Sequence, residues 1–141
     1  MNRRTFLGLA AGTALGTGLL PVAAFAGGNM VDYAPGLIEK ELAAGKTVFV
    51  DYSATWCGTC ARQARVISAL RAADPAYDDA MVFVRVDWDA YGSHEVTTSR
   101  KIPRRSTLLV LKGDRELGRI VAGTSEAQIK ALLDTGLQAA S

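Results

Sequence analysis

The chain has 141 residues, of which 49% are hydrophobic and 21% charged, and its net charge is +2. That length holds one domain at most, and so small a charge excess leaves no electrostatic footprint for nucleic acid. Two cysteines and a single histidine exclude a zinc site with four protein ligands and a Cys–His hydrolase, and the sequence has no glycine-rich phosphate loop, internal repeat or low-complexity tract.

In chain order, Arg3 and Arg4 stand directly before an uncharged run from Phe6 to Ala24, which closes in Ala24-Phe25-Ala26. A charged start, a weakly apolar run and a small-x-small end predict a signal peptide over residues 1–26 and a domain over 27–141. Arg3-Arg4-Thr5-Phe6-Leu7 resembles a twin-arginine export signal, which implies delivery to the periplasm, with no stable membrane insertion after cleavage. The run is also just long enough to serve as an uncleaved anchor. Arg3 and Arg4 account for the whole positive excess.

Residues Gly27 to Tyr33 read as a loose lead-in. Pro35 to Gly45, with Pro near the start and Gly at the end, predicts a helix. Thr47 to Ser53 is β-branched and aromatic, of central-strand length. A helix follows from Gly58 through Arg71, with Ala64, Ile67 and Leu70 packed inward and the arginines solvated. Asp74-Pro75 ends it, and Met81 to Asp87 forms a second buried strand. Tyr91 to Lys101 is partly helical. Ser106–Leu111 and Glu116–Val121 flank a hairpin turn at Lys112-Gly113-Asp114-Arg115. A last helix runs from about Thr124-Ser125-Glu126 to Leu137, with Ile129, Leu132 and Leu133 as its apolar stripe. Two parallel strands around a crossover helix and a final antiparallel pair define an α/β fold with a mixed sheet of about four strands flanked by helices.

Cys57 follows the first of these strands through a short turn and opens the helix that contains Cys60. A helix N-terminus favours a thiolate, and a cysteine three residues on is in reach for a disulfide. The pair thus supplies an exposed nucleophile, Cys57, and a resolving thiol, Cys60, the minimum for exchange through a mixed disulfide. A bridge closing so short a loop would add little stability, so its placement points to reactivity.

The segment Val50-Asp51-Tyr52-Ser53-Ala54-Thr55-Trp56-Cys57-Gly58-Thr59-Cys60 resembles the active-site segment of the thioredoxin family, Val-Asp-Phe-x-Ala-x-Trp-Cys-Gly-Pro-Cys, and the element order extends the likeness over nearly the whole domain. The resemblance implies a thioredoxin-like fold and thiol–disulfide oxidoreductase activity. It makes Asp51 the buried acid that relays the Cys60 proton, and it puts Arg85 where the family often carries a lysine facing that acid. Trp56, Gly58, Thr59, Arg105, Ser106 and Thr107 fall where partners are contacted. The chain departs from the pattern in carrying Thr59 for the proline between the cysteines. It departs again at the family's cis-proline: aligning Thr107-Leu108-Leu109 puts Ser106 there, with the Arg105–Ser106 bond expected to be trans, whereas aligning Ile102-Pro103 puts Pro103 there instead. Arg100, Lys101, Arg104 and Arg105 form a basic cluster beside this loop, read as a docking rim or a solvated loop. His94 is expected at the surface, and Asp87 and Asp89 in a turn.

The resulting expectation is a monomeric periplasmic oxidoreductase acting on disulfide-bearing proteins as a reductant, without cofactor or metal. By resemblance it would be recharged by a membrane thiol conduit of the DsbD or CcdA type. A disulfide-forming oxidant or isomerase on the same fold is one alternative, and a non-enzymatic dithiol protein holding a soft metal is another.

Overall fold

The β-branched and aromatic run Thr47–Ser53 forms the middle strand, β2, of the sheet in a computed structural model that describes residues 30–141. The signal segment read over residues 1–26 lies outside the described residues. Around β2 stand β1 (Val31–Asp32), β3 (Met81–Asp87), β4 (Thr107–Lys112) and β5 (Arg115–Val121), in the order β1-β3-β2-β4-β5. The helices are α1 (Leu37–Ala43), α2 (Gly58–Ala73), α3 (Ala76–Ala80), α4 (Trp88–Tyr91), α5 (Glu95–Thr98) and α6 (Glu126–Ala139). β2 and β3 are parallel around the α2 crossover, and β4 runs antiparallel to both β2 and β5. The mixed sheet between helices is therefore as expected, with one short edge strand more.

That strand corrects the reading of Gly27–Tyr33 as a loose lead-in. Val31 and Asp32 pair with Val84 and Arg85, a long-range contact that a two-residue segment cannot advertise. Pro35 to Gly45 is helical over Leu37–Ala43 only. Gly45, at φ 80°, turns the chain back so that its amide and that of Lys46 bond the carbonyls of Leu42 and Glu41. Asp74-Pro75 does end α2, but Pro75 also opens α3, a place where its missing N–H costs nothing.

Alternation along the strands divides the core in two. Val48, Val50 and Tyr52 face one layer with Ile38, Val84, Val86 and Leu109. Phe49 faces the other with Ile67, Phe83, Leu108, Val110, Ile129 and Leu133, beneath α2 and α6. By the same alternation Asp51 points to the α2 side. α6 lies close to the sheet at Gly136, where a Cβ would meet Met81 Sδ at 2.1 Å.

The inward stripe of α2 is Cys60, Gln63, Ile67, Leu70 and Arg71. Gln63 takes the inward place expected for Ala64, and the arginines expected in solvent do not all lie there. Ala64 is exposed, whereas Arg71 is buried, pairs with Asp78 and lies over the Phe83 ring. Gln63 follows Cys60 by three residues and precedes Ile67 by four, spacings that keep the three on one face.

Candidate active site

The strand-to-helix turn after β2 closes with the Cys57 amide bonded to the Ala54 carbonyl, and Cys57 becomes the N-cap of α2. Its sulfur accepts the Cys60 amide at 3.2 Å, at the positive end of a 16-residue helix. Both cysteines are free thiols. The expected exposed nucleophile is in fact nearly covered, with Cys57 5% exposed and Cys60 2%. Ala54 and Trp88 pack against the pair, and the loop before β4 closes over it.

From that loop Ser106 places its hydroxyl oxygen 3.2 Å from Cys57 Sγ and 3.0 Å from Cys60 Sγ. Pro103 is exposed, so Ser106 is the residue opposite the dithiol; the described residues contain no cis peptide bond. Burial pushes the Cys57 thiol up. Hydrogen bonding to the Cys60 thiol, the Ser106 hydroxyl, the Cys60 amide and the Arg105 side chain outweighs it, and the pKa falls from 9.0 to about 7.

Beneath the pair, Asp51 is 2% exposed and its Oδ1 has no hydrogen-bond partner. Burial raises its pKa from 3.8 to about 7, against the pull of the Arg85 guanidinium and helped by the charge on Cys57. Arg85 is level with Asp51 on the neighbouring strand, but it turns outward to pair with Asp32 at 3.1 Å.

Trp56 is 59% exposed and held on two sides. Its indole N–H donates to the Asp89 carboxylate at 3.0 Å, and the Arg105 guanidinium lies 4.5 Å above its ring. Gly58 is exposed beside it and Thr59 half-buried. Thr107, expected to contact partners, is instead fully buried and donates its hydroxyl to the Arg104 carbonyl at 2.7 Å. As the first residue of β4 it braces the loop, and Ser106 is likewise fully buried. The basic cluster disperses. Arg100 turns to Glu39 and the Val96 carbonyl, Arg104 bonds the Arg105 carbonyl, and Arg105 lies over Trp56, where it helps lower the Cys57 pKa.

His94 is half-buried rather than at the surface, accepts the Val96 amide as the cap of α5, and packs on Tyr33 and Tyr91. Asp87 caps α4 through the Asp89 amide, in the expected turn. Among the described residues no group of three or more His, Cys, Asp or Glu side chains could hold a metal ion, and no helix is long and apolar enough to cross a membrane.

Two contributors escaped the sequence reading. Gln63 is fully buried and its amide donates to the carbonyls of Ser106 at 3.0 Å and Gly123 at 2.9 Å, tying both loops to α2. A polar residue three positions after Cys60 on the inward face was the available signal. Asp89, which orients Trp56, had none, because the contact spans 33 residues.

A dithiol at a helix N-terminus, on a mixed sheet between helices, defines a thiol–disulfide oxidoreductase. The thioredoxin family profile matches residues 34–135, and the chain belongs to that family. Thioredoxin-2 of Saccharomyces cerevisiae is 36% identical over 93 residues, covering 65% of this chain and 83% of the relative. Thioredoxin of Echinococcus granulosus is 29% identical over 96 residues, 68% and 83% of the two chains. Among solved structures, Trxlp from Edwardsiella tarda superposes with a TM-score of 0.63 at 27% identity, over 74% of this chain and 98% of that one. Trypanosoma brucei brucei thioredoxin, at a TM-score of 0.64 and 18% identity over 80% and 93% of the chains, shares the fold.

Proposed function

We propose that this oxidoreductase works as a reductant of protein disulfides in the periplasm. Cys57 attacks, Cys60 resolves, and Asp51 takes the Cys60 proton. The direction rests on how the Cys57 sulfur is held: the Cys60 amide at 3.2 Å and a serine hydroxyl shared with Cys60 help bring its pKa to about 7. That value matches a thioredoxin nucleophile, at about 7, and not the strong oxidant DsbA, at about 3.5. A thiolate stabilised only this far leaves the dithiol a good electron donor. The buried, unpartnered Asp51 carboxyl with a pKa near 7 supports the relay, since such a group accepts and returns a proton at neutral pH.

The surface offered to a partner is Trp56, Gly58, Thr59 and Arg105. The periplasmic setting is supported by the Arg3-Arg4 leader, and a reductant there needs electrons from a membrane thiol conduit of the DsbD or CcdA type. The protein itself needs no cofactor beyond its dithiol and acts as a monomer.

Equilibration against glutathione and dithiothreitol buffers tests the direction. The expected potential lies near thioredoxin's, about −270 mV, together with reduction of insulin and a mostly reduced pair in periplasmic extracts. A potential near about −120 mV, with the pair oxidised in the cell, refutes it.

A further inference from the structure

Ser106 adopts φ 64°, a left-handed conformation that costs a residue with a Cβ. The surroundings enforce it. Its amide donates to the Tyr52 carbonyl at 2.7 Å, and its carbonyl accepts the Ala122 amide at 2.8 Å and Gln63 Nε2 at 3.0 Å. The side chain, fully buried, is thereby fixed with its oxygen between the two sulfurs. The hydroxyl is thus within hydrogen-bond reach of both sulfurs at once.

A serine hydroxyl has a single hydrogen and two lone pairs, and it rotates. It therefore donates to one sulfur at a time while accepting from the other. We propose that the Ser106 hydroxyl is a turning donor shared by both cysteines, following the negative charge from Cys57 to Cys60 during exchange. This rests on the exchange reading above and adds a catalytic group to it.

In the reduced protein the hydroxyl donates to the Cys57 thiolate and accepts the Cys60 S–H. The thiolate attacks a substrate disulfide; a bond forms between Cys57 Sγ and one substrate sulfur, and the other substrate sulfur leaves as a thiolate. Cys57 Sγ is now neutral and no longer holds the hydroxyl. Cys60 gives its proton to the Asp51 carboxylate, and the hydroxyl turns to donate to the new Cys60 thiolate. That thiolate attacks Cys57 Sγ, the mixed disulfide breaks, and the second substrate sulfur leaves as a thiolate. Two electrons have passed from the dithiol to the substrate, one proton rests on Asp51, and the Ser106 proton has never left its oxygen.

The titratable and charged groups facing Cys57 are Cys60 from α2, Asp51 from β2 and Arg105 from the loop before β4. The test changes Ser106 alone within each background. Ser106→Ala removes the hydroxyl and keeps the strained backbone. Ser106→Gly removes the hydroxyl and relieves the strain, so it preserves folding even if alanine does not. Each is measured twice. Iodoacetamide alkylation of Cys57 against pH, in a Cys60→Ala background, reads donation to Cys57. Acid-quenched single-turnover reduction of insulin, with Cys60 present, reads the lifetime of the mixed disulfide.

Both variants are expected to raise the alkylation midpoint by about one pH unit and to lengthen the mixed-disulfide lifetime about tenfold, the size of one hydrogen bond to a charged sulfur. Unmoved midpoints overturn the proposal, as does a moved midpoint with an unchanged lifetime, since the hydroxyl would then serve Cys57 alone. An effect in alanine that glycine abolishes assigns it to backbone strain and also overturns it. Wild-type protein that fails to reduce insulin overturns the exchange reading instead, and the alkylation midpoint still reports the hydroxyl's contact with Cys57.

Discussion

Replacing Asp51 by Asn is expected to make the protein more stable, by an amount set by pH. The carboxyl is buried on β2 with one oxygen unpartnered, and burial raises its pKa from 3.8 to about 7. The native state therefore holds this proton more tightly than the unfolded chain does. Stability from the group is complete below about pH 4, drains away as pH rises to 7, and stays lost above it. At 1.36 kcal/mol per pKa unit the span sets a ceiling of about 4 kcal/mol on the gain from an uncharged isostere at pH 8. Urea unfolding of the reduced wild type and Asp51→Asn at pH 4, 5, 6, 7 and 8 (about one-unit steps across the titration) measures it directly. The difference should be near zero at pH 4, grow through pH 7 and then level off. A pH-independent difference, or none at pH 8, would refute the claim that the carboxylate is held at a desolvation cost.

Cys60→Ser should leave Cys57 able to attack and unable to be resolved, so disulfide-linked partners accumulate on non-reducing gels, whereas Cys57→Ser should form none. Gln63→Leu takes a buried donor from the Gly123 carbonyl and one of two donors from Ser106, a loss of about 1–3 kcal/mol in urea unfolding. It should also raise the Cys57 alkylation midpoint, because Ser106 loses one of the three bonds that hold it. Gly136→Val drives a side chain into Met81, whose sulfur lies 2.1 Å from the Cβ position. A lower Tm with unchanged Cys57 alkylation is expected, at a cost of about 1–3 kcal/mol.

The fold was legible wherever a residue's own neighbours decide its state. The β-branched runs of β2 and β3, the Lys112–Arg115 turn and the Ser125 cap of α6 announce themselves within a few positions, as does the cysteine pair at a helix start. What stayed hidden depends on contacts far along the chain. Two residues become β1 only because β3 is beside them. Ala64 and Gln63 are both compatible with an inward stripe by spacing, and Gln63 is the one that meets the carbonyls of Ser106 and Gly123, 43 and 60 residues away. Exposure of Cys57 follows from helix position in isolation, and its burial follows from the loop before β4. The basic run from Arg100 to Arg105 looks like one patch in sequence, yet the turn of that loop sends each arginine to a different acceptor.

Asp51 and Cys57 both sit near pH 7, and the charge on Cys57 is one reason that Asp51 does. Burial is the larger cause, and the Cys57 charge adds to it, so a thiolate on Cys57 and a carboxylate on Asp51 oppose each other. On the proposed relay this coupling times the reaction. While Cys57 is a thiolate, its field keeps Asp51 inclined to hold a proton, and Cys60 has a weakened acceptor. Once Cys57 is bound in a mixed disulfide the field disappears, and Asp51 ionises more readily, just when the Cys60 proton must be taken. Arg85 reinforces the release from the side, since its guanidinium lowers the Asp51 pKa even while paired with Asp32.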